Sequence, residues 1–410
     1  MNTQTNTAEN WFWAVQDTNR NVIDSNGVYT TFDHAVGLDL AGYAYTRLEQ
    51  YRPTTTNQLG FNTKWTPSDT FNGVLDLSWS RAINDNRGLD ADYTLEALNQ
   101  PGFLVHSDGG VPWIEDNGAF RPTEANEVKL RARQTSNSGT YVRSENWQAK
   151  TDFNWILNDK VSFDFGASYG NQGKHNEFWQ TPQAVRRLYH SNATHEVVDT
   201  TNIITGILQP GDVFGNSKLN GDMYVIDGEA LRAWMADPVN LANRDNPTAS
   251  LADFEANGRT WNAVKSGDSY QIDERDTSAY IDLHWNTQLL SKPLGIVTGL
   301  RYSKTQLTSD GTMRILTDLY QAMCGDHPCE NSGILTPVYS STDLTRITVK
   351  HDYANWLPSL NARWDIADDM VLRLSASQTM TRPTLEDLAP QITYRSLFKV
   401  ERTATGNNPI

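Results

Sequence analysis

Two cysteines have the most distinctive chemistry in this chain of 410 residues. Cys324 and Cys329 are its only cysteines and enclose the segment Cys-Gly-Asp-His-Pro-Cys. Their close spacing in a loop that contains Gly and Pro favours a local disulfide, formed in an oxidising compartment. A zinc site would need more ligands than His327, which lies between them. The spacing also differs from the Cys-x-x-Cys pattern of redox centres. The pair therefore predicts a structural disulfide.

The other residues with catalytic or metal-binding chemistry lack the spacing that such sites require. His190, His195 and Asp199 lie close together in sequence, but the chain has no His-Glu-x-x-His pattern. It also has no Gly-x-Ser-x-Gly elbow, no glycine-rich phosphate loop and no EF-hand spacing. Loosely spaced loop histidines are more often solvated surface residues than ligands. We therefore expect no catalytic residue, no metal site and no cofactor, and we expect that the chain is not an enzyme.

Aromatic residues within polar segments are the best candidates for ligand contacts. Trp113 lies in Gly-Gly-Val-Pro-Trp-Ile-Glu-Asp, and Phe178 and Trp179 precede Gln180. Flat apolar rings beside hydrogen-bonding groups suit sugar rings, which bind by stacking and a few fixed polar contacts. The alternative is that each ring packs its own loop against the rest of the chain, since isolated exposed aromatics are ordinary. Trp113, Phe178 and Trp179 are the predicted substrate-binding residues.

Composition and charge narrow the class of protein. The formal net charge of −15 disfavours a general nucleic-acid surface, because such surfaces need a basic stripe. No apolar stretch approaches the roughly 18 residues of a spanning helix. The 13 Trp, 16 Tyr and 13 Phe residues suit the aromatic girdles of a membrane interface. The N-terminal Met-Asn-Thr-Gln-Thr has neither the basic start nor the apolar core of a secretory signal.

Alternation of apolar and polar residues organises much of the chain and predicts β-strands. Leu360, Ala362, Trp364 and Ile366 alternate with polar residues, and the pattern resumes at Met370 after a short polar turn. Short turns alternating with long polar segments are typical of an antiparallel transmembrane β-barrel. The predicted hairpins lie near residues 58–83, 147–170, 278–304 and 357–383, with turns of about three to five residues. The predicted long extracellular loops lie near residues 84–146, 171–277 and 305–350.

Tryptophans accompany the short turns and predict a ring of aromatic side chains at one membrane interface. These residues are Trp65, Trp79, Trp155, Trp285 and Trp364. The alternative is that they are core aromatics of a soluble β-sandwich or propeller. That alternative is disfavoured because soluble sheets rarely connect their strands by such long loops.

The remaining segments yield coarser predictions. In the middle loop, a capping residue at Asp227 and a stop at Pro238 predict a helix, and a second is predicted over residues 251–257. Residues 1–35 are rich in Asn, Thr and Asp and are predicted to form a loop. Alternation over residues 37–51 predicts a strand.

Several of these segments resemble a known family. Residues 273–305, which include Ala-Tyr-Ile-Asp-Leu-His-Trp and Gly-Leu-Arg-Tyr-Ser-Lys-Thr, resemble a barrel hairpin of TonB-dependent outer-membrane receptors. Trp356-Leu-Pro-Ser-Leu-Asn361 and the later Met-Thr-Arg-Pro383 resemble the same family, as does the closing Gly-Asn-Asn-Pro409. The resemblance is strongest over residues 273–410, weaker over residues 57–82, and slight in the long loops.

The resemblance implies an all-β fold, a partial antiparallel transmembrane β-barrel that supplies about 8–10 strands of a 22-stranded barrel with a plugged lumen. It implies a monomer in the bacterial outer membrane, surrounded by its lipid, without a nucleic-acid partner. Neither a plug domain nor a TonB box is found. We therefore expect an internal part of a longer receptor, which contacts the TonB–ExbB–ExbD system through those missing parts.

The function implied by the resemblance is energy-dependent uptake of a scarce nutrient. The subgroup that this chain resembles is often associated with oligosaccharide uptake. Siderophore and haem receptors share the barrel and are an alternative, as is a passive porin or an adhesin-like outer-membrane protein. A soluble carbohydrate-binding β-protein is a further alternative.

Overall fold

In the computed structural model, most of the described residues are in β-strands. The structure describes residues 2–11, 21–34, 42–98, 103–107, 113–114, 130–186, 188–189, 202–208, 223–242, 251–267, 269–313, 316–321, 323–324, 327–328, 335–339, 345–390, 392–398 and 401–406. The prediction of a chain built mainly from strands is confirmed.

The strands, numbered in chain order, differ widely in length. The long ones form hairpins, and the short ones lie in the connections between them. Their bounds are β1 Asn2–Trp11, β2 Val22–Ile23, β3 Tyr29–His34, β4 Gly42–Tyr51, β5 Thr54–Ser68, β6 Phe71–Asp85, β7 Asp90–Leu98, β8 Phe103–His106, β9 Trp113–Ile114, β10 Leu130–Asn158, β11 Val161–Gln180, β12 Ile204–Leu208, β13 Met223–Ile226, β14 Val264–Lys265, β15 Tyr270–Leu289, β16 Lys292–Met313, β17 Leu316–Gln321, β18 Met323–Cys324, β19 His327–Pro328, β20 Leu335–Tyr339, β21 Thr345–Ala367, β22 Met370–Ser377, β23 Ile392–Phe398 and β24 Glu401–Gly406.

Helices are short. They are α1 Gln183–Arg186, α2 Gly228–Ala236, α3 Pro238–Ala242 and α4 Leu251–Ala256, with a single-turn 3₁₀ helix at Leu385–Leu388. Both predicted helices are confirmed as α2 and α4. The side chain of Asp227 caps α2 by accepting a hydrogen bond from the Ala230 amide at 3.0 Å. Among the described residues, no helix has the length and apolar character needed to cross a bilayer.

The elements assemble into two compact units. Unit 1 comprises residues Met1–Pro53, Asn86–Gly139 and Trp179–Lys265. Unit 2 comprises residues Thr54–Asp85, Thr140–Phe178 and Ser266–Ile410. Strands β10 and β11 contribute residues to both units.

Unit 2 is organised around one antiparallel sheet. Its strands are hydrogen-bonded in the order β5-β6-β10-β11-β15-β16-β21-β22. The four predicted hairpins are therefore confirmed as β5–β6, β10–β11, β15–β16 and β21–β22. Within the described residues, β5 and β22 lie at the two edges of this sheet, which is not closed into a barrel.

The hairpin turns are tighter than predicted. Each has two residues between its strands, at positions 69–70, 159–160, 290–291 and 368–369, whereas three to five were expected. The turn at Leu290 and Ser291 has φ values of 54° and 62°, the double positive φ of a type I′ turn, which matches the twist of the flanking strands. Lys292 and Pro293, predicted as turn, are paired in the ladder with Leu289 and Gln288.

The strands also extend far into the segments predicted as long loops. β10 begins at Leu130 and β11 ends at Gln180. β15 begins at Tyr270, β16 ends at Met313 and β21 begins at Thr345. These extensions were missed because they are rich in polar residues, and the alternations that they contain, such as Tyr270 with Ile272 and Ile347 with Val349, are short. At the other end of the fourth hairpin, the strand stops at Ser377, and residues 378–383 leave the sheet.

Unit 1 has a conventional buried core beside a smaller sheet. Strands β1, β4, β7 and the first part of β10 pair in that order, and α2 and α4 cover one face. Leu95, Leu231, Met235 and Phe254 are completely buried there. A second sheet has the order β2-β3-β8-β9.

The N-terminal prediction was partly wrong. The predicted loop over residues 1–35 contains β1, β2 and β3, because an Asn- and Thr-rich segment forms a strand when a neighbour supplies the hydrogen-bonding ladder. The strand predicted over residues 37–51 is confirmed as β4.

Candidate functional site

One face of the unit 2 sheet, here called the outward face, is apolar and exposed. Register places Ile281 beside Leu300 and Phe165, and Leu360 beside Thr298. Large apolar side chains on this face remain exposed, including Leu59, Phe61, Trp155, Trp285, Leu300, Trp356, Leu360, Leu372 and Leu374. Such a surface is unfavourable in water and suited to lipid.

Aromatic residues border the outward face in two bands. The turn-side band comprises Trp65, Phe71, Trp155, Trp285 and Trp364. The far band comprises Trp79, Trp147, Tyr169, Tyr302 and Trp356, in which Tyr302 and Trp356 are cross-strand neighbours with ring centroids 4.8 Å apart. The prediction of one ring at one level was therefore incomplete, since Trp79 belongs to the far band.

The spacing of the two bands matches a membrane. Trp356 and Trp364 are eight residues apart on β21. At about 3.4 Å per residue and a strand tilt of about 35–45°, this is roughly 19–22 Å along the membrane normal. The apolar belt of outer-membrane barrels is about 25 Å tall.

The opposite face of the sheet, here called the inward face, has a continuous polar network. Asn72 donates to Asn154 at 3.3 Å, Asn154 donates to Asp164 at 2.6 Å, and His284 lies 2.8 Å from Asp164. Beside it, the Tyr280 hydroxyl donates to Asp152 at 2.7 Å. The ring has space because position 166 is glycine, where a Cβ would lie 2.7 Å from Tyr280. Polar side chains on this face are expected where a barrel wall faces a water-filled interior.

Residues 378–390, here called the strap, fold over the inward face of β15 and β16. Arg382 of the strap pairs with Asp276 and donates to Ser303 at 3.2 Å and Thr305 at 3.1 Å. Ser309 donates to the carbonyl of Leu388 at 2.7 Å. Leu388 and Ala389 are buried with Tyr270, Ile272 and Leu307. The Met-Thr-Arg-Pro segment that carried the family resemblance is therefore a packed structural element.

A polar cavity of about 200 Å³ lies within unit 1. Ala91 and Leu48 supply apolar lining. The polar lining comes from β4, β7, β10, the end of β11 and α1, namely Glu49, Gln50, Asp90, Asp92, Ser136, Asn137, Ser138, Gln180, Thr181 and Arg186. Donors and acceptors are therefore mixed in one recess.

Part of the cavity lining is already hydrogen-bonded, and part is available. Asp90 pairs with Arg52 at 3.0 Å, and Asp92 accepts from Gln134 at 3.1 Å. Among the described residues, the side chains of Ser136, Ser138 and Arg186 make no hydrogen bond or ion pair. Hydroxyl and guanidinium donors are thus available to a ligand.

The core of unit 1 contains one strongly perturbed ionisable group. The Tyr93 hydroxyl donates to Glu229 at 3.2 Å, and the Arg232 guanidinium lies 4.6 Å from the ring centroid. Burial raises the pKa of Tyr93 to about 12, and the nearby carboxylates of Glu49 and Glu229 add to the rise, while Arg232 opposes it. Tyr93 is therefore a neutral hydrogen-bond donor at physiological pH.

The predicted substrate-binding aromatics are not among the cavity-lining residues, and each contacts other side chains. The Trp113 ring stacks on His106 with centroids 4.1 Å apart. Phe178 packs against the buried cluster beneath the strap. Trp179 lies beneath the Arg87 guanidinium at 6.0 Å. Their role as sugar-stacking residues stays a prediction.

The remaining predicted residues fall largely outside the described part of the chain. Cys324 is in β18, which pairs with β19, but Cys329 is outside the described residues, so the disulfide stays a prediction. His190, His195 and Asp199 are also outside it. No cluster that could hold a metal occurs among the described residues.

Sequence reasoning missed the cavity lining altogether. Its residues come from positions 48 to 186, and none belongs to a recognisable motif. Part of the lining comes from two short polar segments, Asp90-Ala-Asp92 and Ser136-Asn-Ser138. These segments are visible in the sequence, but only the pairing of β7 with β10 places them opposite each other.

An antiparallel sheet with an aromatic-bordered apolar face and a polar opposite face is the wall of an outer-membrane β-barrel. The family model described as TonB dependent receptor-like, beta-barrel, matches residues 98–409, and the chain belongs to this family. TonB-dependent receptors are outer-membrane transporters that take up nutrients. No curated protein shows a significant match to the chain.

Proposed function

We propose that this chain serves the uptake of an oligosaccharide, which is bound by unit 1. The observation that carries the proposal is the polar cavity of unit 1, with its mixed donors and acceptors beside Ala91 and Leu48. A few placed polar groups beside apolar lining is the usual composition of a small-molecule site.

The alternation of short turns and long connections supports an extracellular position for the segments that line the cavity. Most of the lining, including Asp90, Ser138 and Arg186, comes from the segments between the predicted hairpins and not from the two-residue turns. Short turns are periplasmic in outer-membrane barrels and long connections are extracellular.

The charges of the cavity favour a neutral ligand over an anionic one. Three carboxylates line it, from Glu49, Asp90 and Asp92, together with the guanidinium of Arg186. Glu49 pairs with Arg47 and Asp90 pairs with Arg52, so positive and negative charges are balanced around the cavity. No excess of positive charge is therefore present to attract an anionic ferric chelate, whereas sugar hydroxyls can donate to carboxylates and accept from Arg186 and Ser138. This charge balance supports an oligosaccharide over a ferric siderophore as the cargo.

The wider setting follows from family membership. We propose that the chain acts as a monomer in the outer membrane and that the TonB–ExbB–ExbD system energises uptake. No role in catalysis is proposed, since no step in import requires bond cleavage.

The test is direct binding to the full chain in detergent micelles by titration calorimetry. Maltotetraose, cellotetraose and xylotetraose are the neutral probes, and ferric citrate and haemin represent the alternative cargoes. We expect at least one tetrasaccharide to bind. A double variant, Ser138→Ala with Arg186→Gln, should bind it about tenfold more weakly, which corresponds to about 1.4 kcal/mol.

The matched control is Arg259→Gln, which removes an exposed arginine of unit 1 that pairs with Glu255 at 2.9 Å away from the cavity lining. It should leave affinity unchanged. Binding of ferric citrate or haemin in place of every sugar would overturn the oligosaccharide proposal. Equal loss in the cavity variant and the control would overturn the assignment to this cavity.

A further inference from the structure

The two serines that line the cavity of unit 1 owe their orientation to a β-bulge. The register of β10 against β7 shifts after Ala132, so one extra residue lies on β10 at that point. Beyond the bulge, Thr135 lies opposite the buried Tyr93, on the face of the sheet that belongs to the core of unit 1. Ser136 and Ser138 flank that phase by one residue and therefore face the other side of the sheet.

Arg232 of α2 contacts this part of β10 from the core face. Its Nε donates to the Thr135 hydroxyl at 3.0 Å, and its Nη2 donates to the Ser136 carbonyl at 3.4 Å and to the side-chain oxygen of Asn137. The Thr135 side chain is completely buried, and the Arg232 side chain is mostly buried. Arg232 is not among the residues that line the cavity. It therefore contacts the serine segment without reaching the cavity itself.

A second set of contacts fixes the backbone of the same segment. The Thr181 amide donates to the Asn137 carbonyl at 2.8 Å, and the Asn137 amide donates to the Thr181 hydroxyl at 2.7 Å. The Thr181 hydroxyl in turn donates to the carbonyl of the buried Trp261 at 2.5 Å. Asn137 is thus held through its backbone by Thr181 and through its side chain by Arg232.

The guanidinium of Arg232 is itself fixed in place. It lies 4.6 Å from the centroid of the Tyr93 ring, and its Nη1 lies 3.6 Å from Glu229. A guanidinium presents its N–H donors in one rigid plane, so it can bond two neighbouring acceptors on a strand at once. A lysine ammonium has the same charge but is a point donor on a flexible stem.

We propose that Arg232 is a positioning residue for the oligosaccharide, which sets the hydroxyls of Ser136 and Ser138 in place without touching the sugar. This inference rests on the function proposed above for the cavity. Groups that are ordered before binding need not be ordered by the ligand, so their contacts contribute more to affinity. Loss of Arg232 should therefore weaken sugar binding through the two serines alone.

The first test is a pair of double-mutant cycles, with sugar affinity measured by titration calorimetry on the full chain in detergent micelles. Maltotetraose, cellotetraose and xylotetraose are the probes. Arg232→Gln should weaken binding about tenfold in the parent chain, and less than about twofold in a chain that already carries Ser136→Ala with Ser138→Ala. In an Arg186→Gln chain the loss should again be about tenfold, because Arg186 lies on α1 and has no contact with Arg232 among the described residues.

The two cycles separate positioning from a general loss of structure. A destabilised unit 1 would weaken binding by the same factor in the serine variant and in the Arg186→Gln variant. Equal factors in these two chains would overturn the proposal, while leaving the function proposed for the cavity intact.

The second test needs no sugar. Amide hydrogen exchange over residues 135–138, followed by mass spectrometry, should be about tenfold faster in Arg232→Gln than in the parent chain. Arg259→Gln, which removes the other arginine with a glutamate partner on its own helix segment, should leave this exchange unchanged. Arg232→Lys should also exchange faster than the parent chain, and full recovery of protection by lysine would overturn the role given to the paired donors.

The outcomes for the two proposals are distinct. Failure of every tetrasaccharide to bind the parent chain would overturn the oligosaccharide function of the cavity. Unchanged exchange over residues 135–138 in Arg232→Gln would overturn the positioning role, whether or not a sugar binds.

Discussion

The two units of this chain use β-strands in opposite ways. In unit 1, apolar side chains such as Leu231 are completely buried beneath the helices, as in a water-soluble domain. In unit 2, apolar side chains point away from the chain, and Trp356 is 60% exposed. This difference shows that the face of a sheet that is apolar depends on the surrounding solvent. Unit 1 excludes water from its interior, whereas unit 2 places its polar network inside and its apolar face toward lipid.

The largest expected effect lies in the unit 1 core. Leu231→Ala should destabilise unit 1 by about 2–5 kcal/mol, because it removes a completely buried side chain and leaves a cavity. Denaturant unfolding followed by tryptophan fluorescence measures the loss. Val239→Ala, at a position 65% exposed in α3, is the control and should change little. Equal effects at both positions would mean that unit 1 has no water-excluding core.

A charge on the outward face tests the role assigned to lipid in unit 2. Leu360 lies midway between Trp356 and Trp364 on β21. Leu360→Arg should cost about 2–4 kcal/mol for the chain in lipid bilayers, the penalty of a cation near the membrane midplane. The measurement is unfolding in phospholipid vesicles.

The adjacent residue supplies the control, because neighbours on a strand face opposite sides. Asn361→Arg places the same charge on the inward face and should be tolerated. If Asn361→Arg were the more costly of the two, the assignment of inward and outward faces would be reversed.

A substitution in the strap should reduce the free energy of unfolding by a smaller amount. Arg382→Gln removes a cation that faces Asp276 and Glu274, the latter 3% exposed, and should cost about 1–3 kcal/mol. Faster proteolysis within residues 378–390 is the expected local sign. Arg373→Gln, which removes an arginine without an ion pair among the described residues, should leave proteolysis unchanged.

The smallest effect concerns pH and applies to unit 1 alone. The pKa of Tyr93 is about 12 in the folded chain against about 10 when unfolded. Above pH 10 the unfolded state therefore loses its proton first, and stability should fall as pH rises from 10 to 12. Urea midpoints at pH 8 and pH 11.5 measure this. Tyr93→Phe should reduce the difference between the two midpoints, and an unchanged difference would show that Tyr93 is not the responsible group.

The local sequence pattern was sufficient to predict the membrane hairpins but not most of the other strands. The alternation around Trp364 predicted β21 and β22, because lipid on one side and water on the other impose a period of two. The same reasoning missed β1, since a strand whose sequence is polar on both faces leaves no such period. The helix caps at Asp227 and Gly258 were readable because they depend on neighbouring residues alone.

The candidate sites show the same limit. The cavity of unit 1 joins Glu49, Ser138 and Arg186, which are separated by up to 137 positions, from 49 to 186. A second cavity, of about 570 Å³ in unit 2, is lined by Arg275 and Lys350, which are 75 positions apart. No spacing rule connects such residues, because strand register brings them together.

The sequence by itself determined the strand hairpins, the membrane-facing residues and the family, since each follows from a short repeating pattern or a local segment. Only the tertiary structure decided which side chains share a row, where the strap packs, and which residues line the two cavities. The physical reason is that periodicity reports the solvent on each side of a strand, whereas register and packing depend on partners distant in sequence.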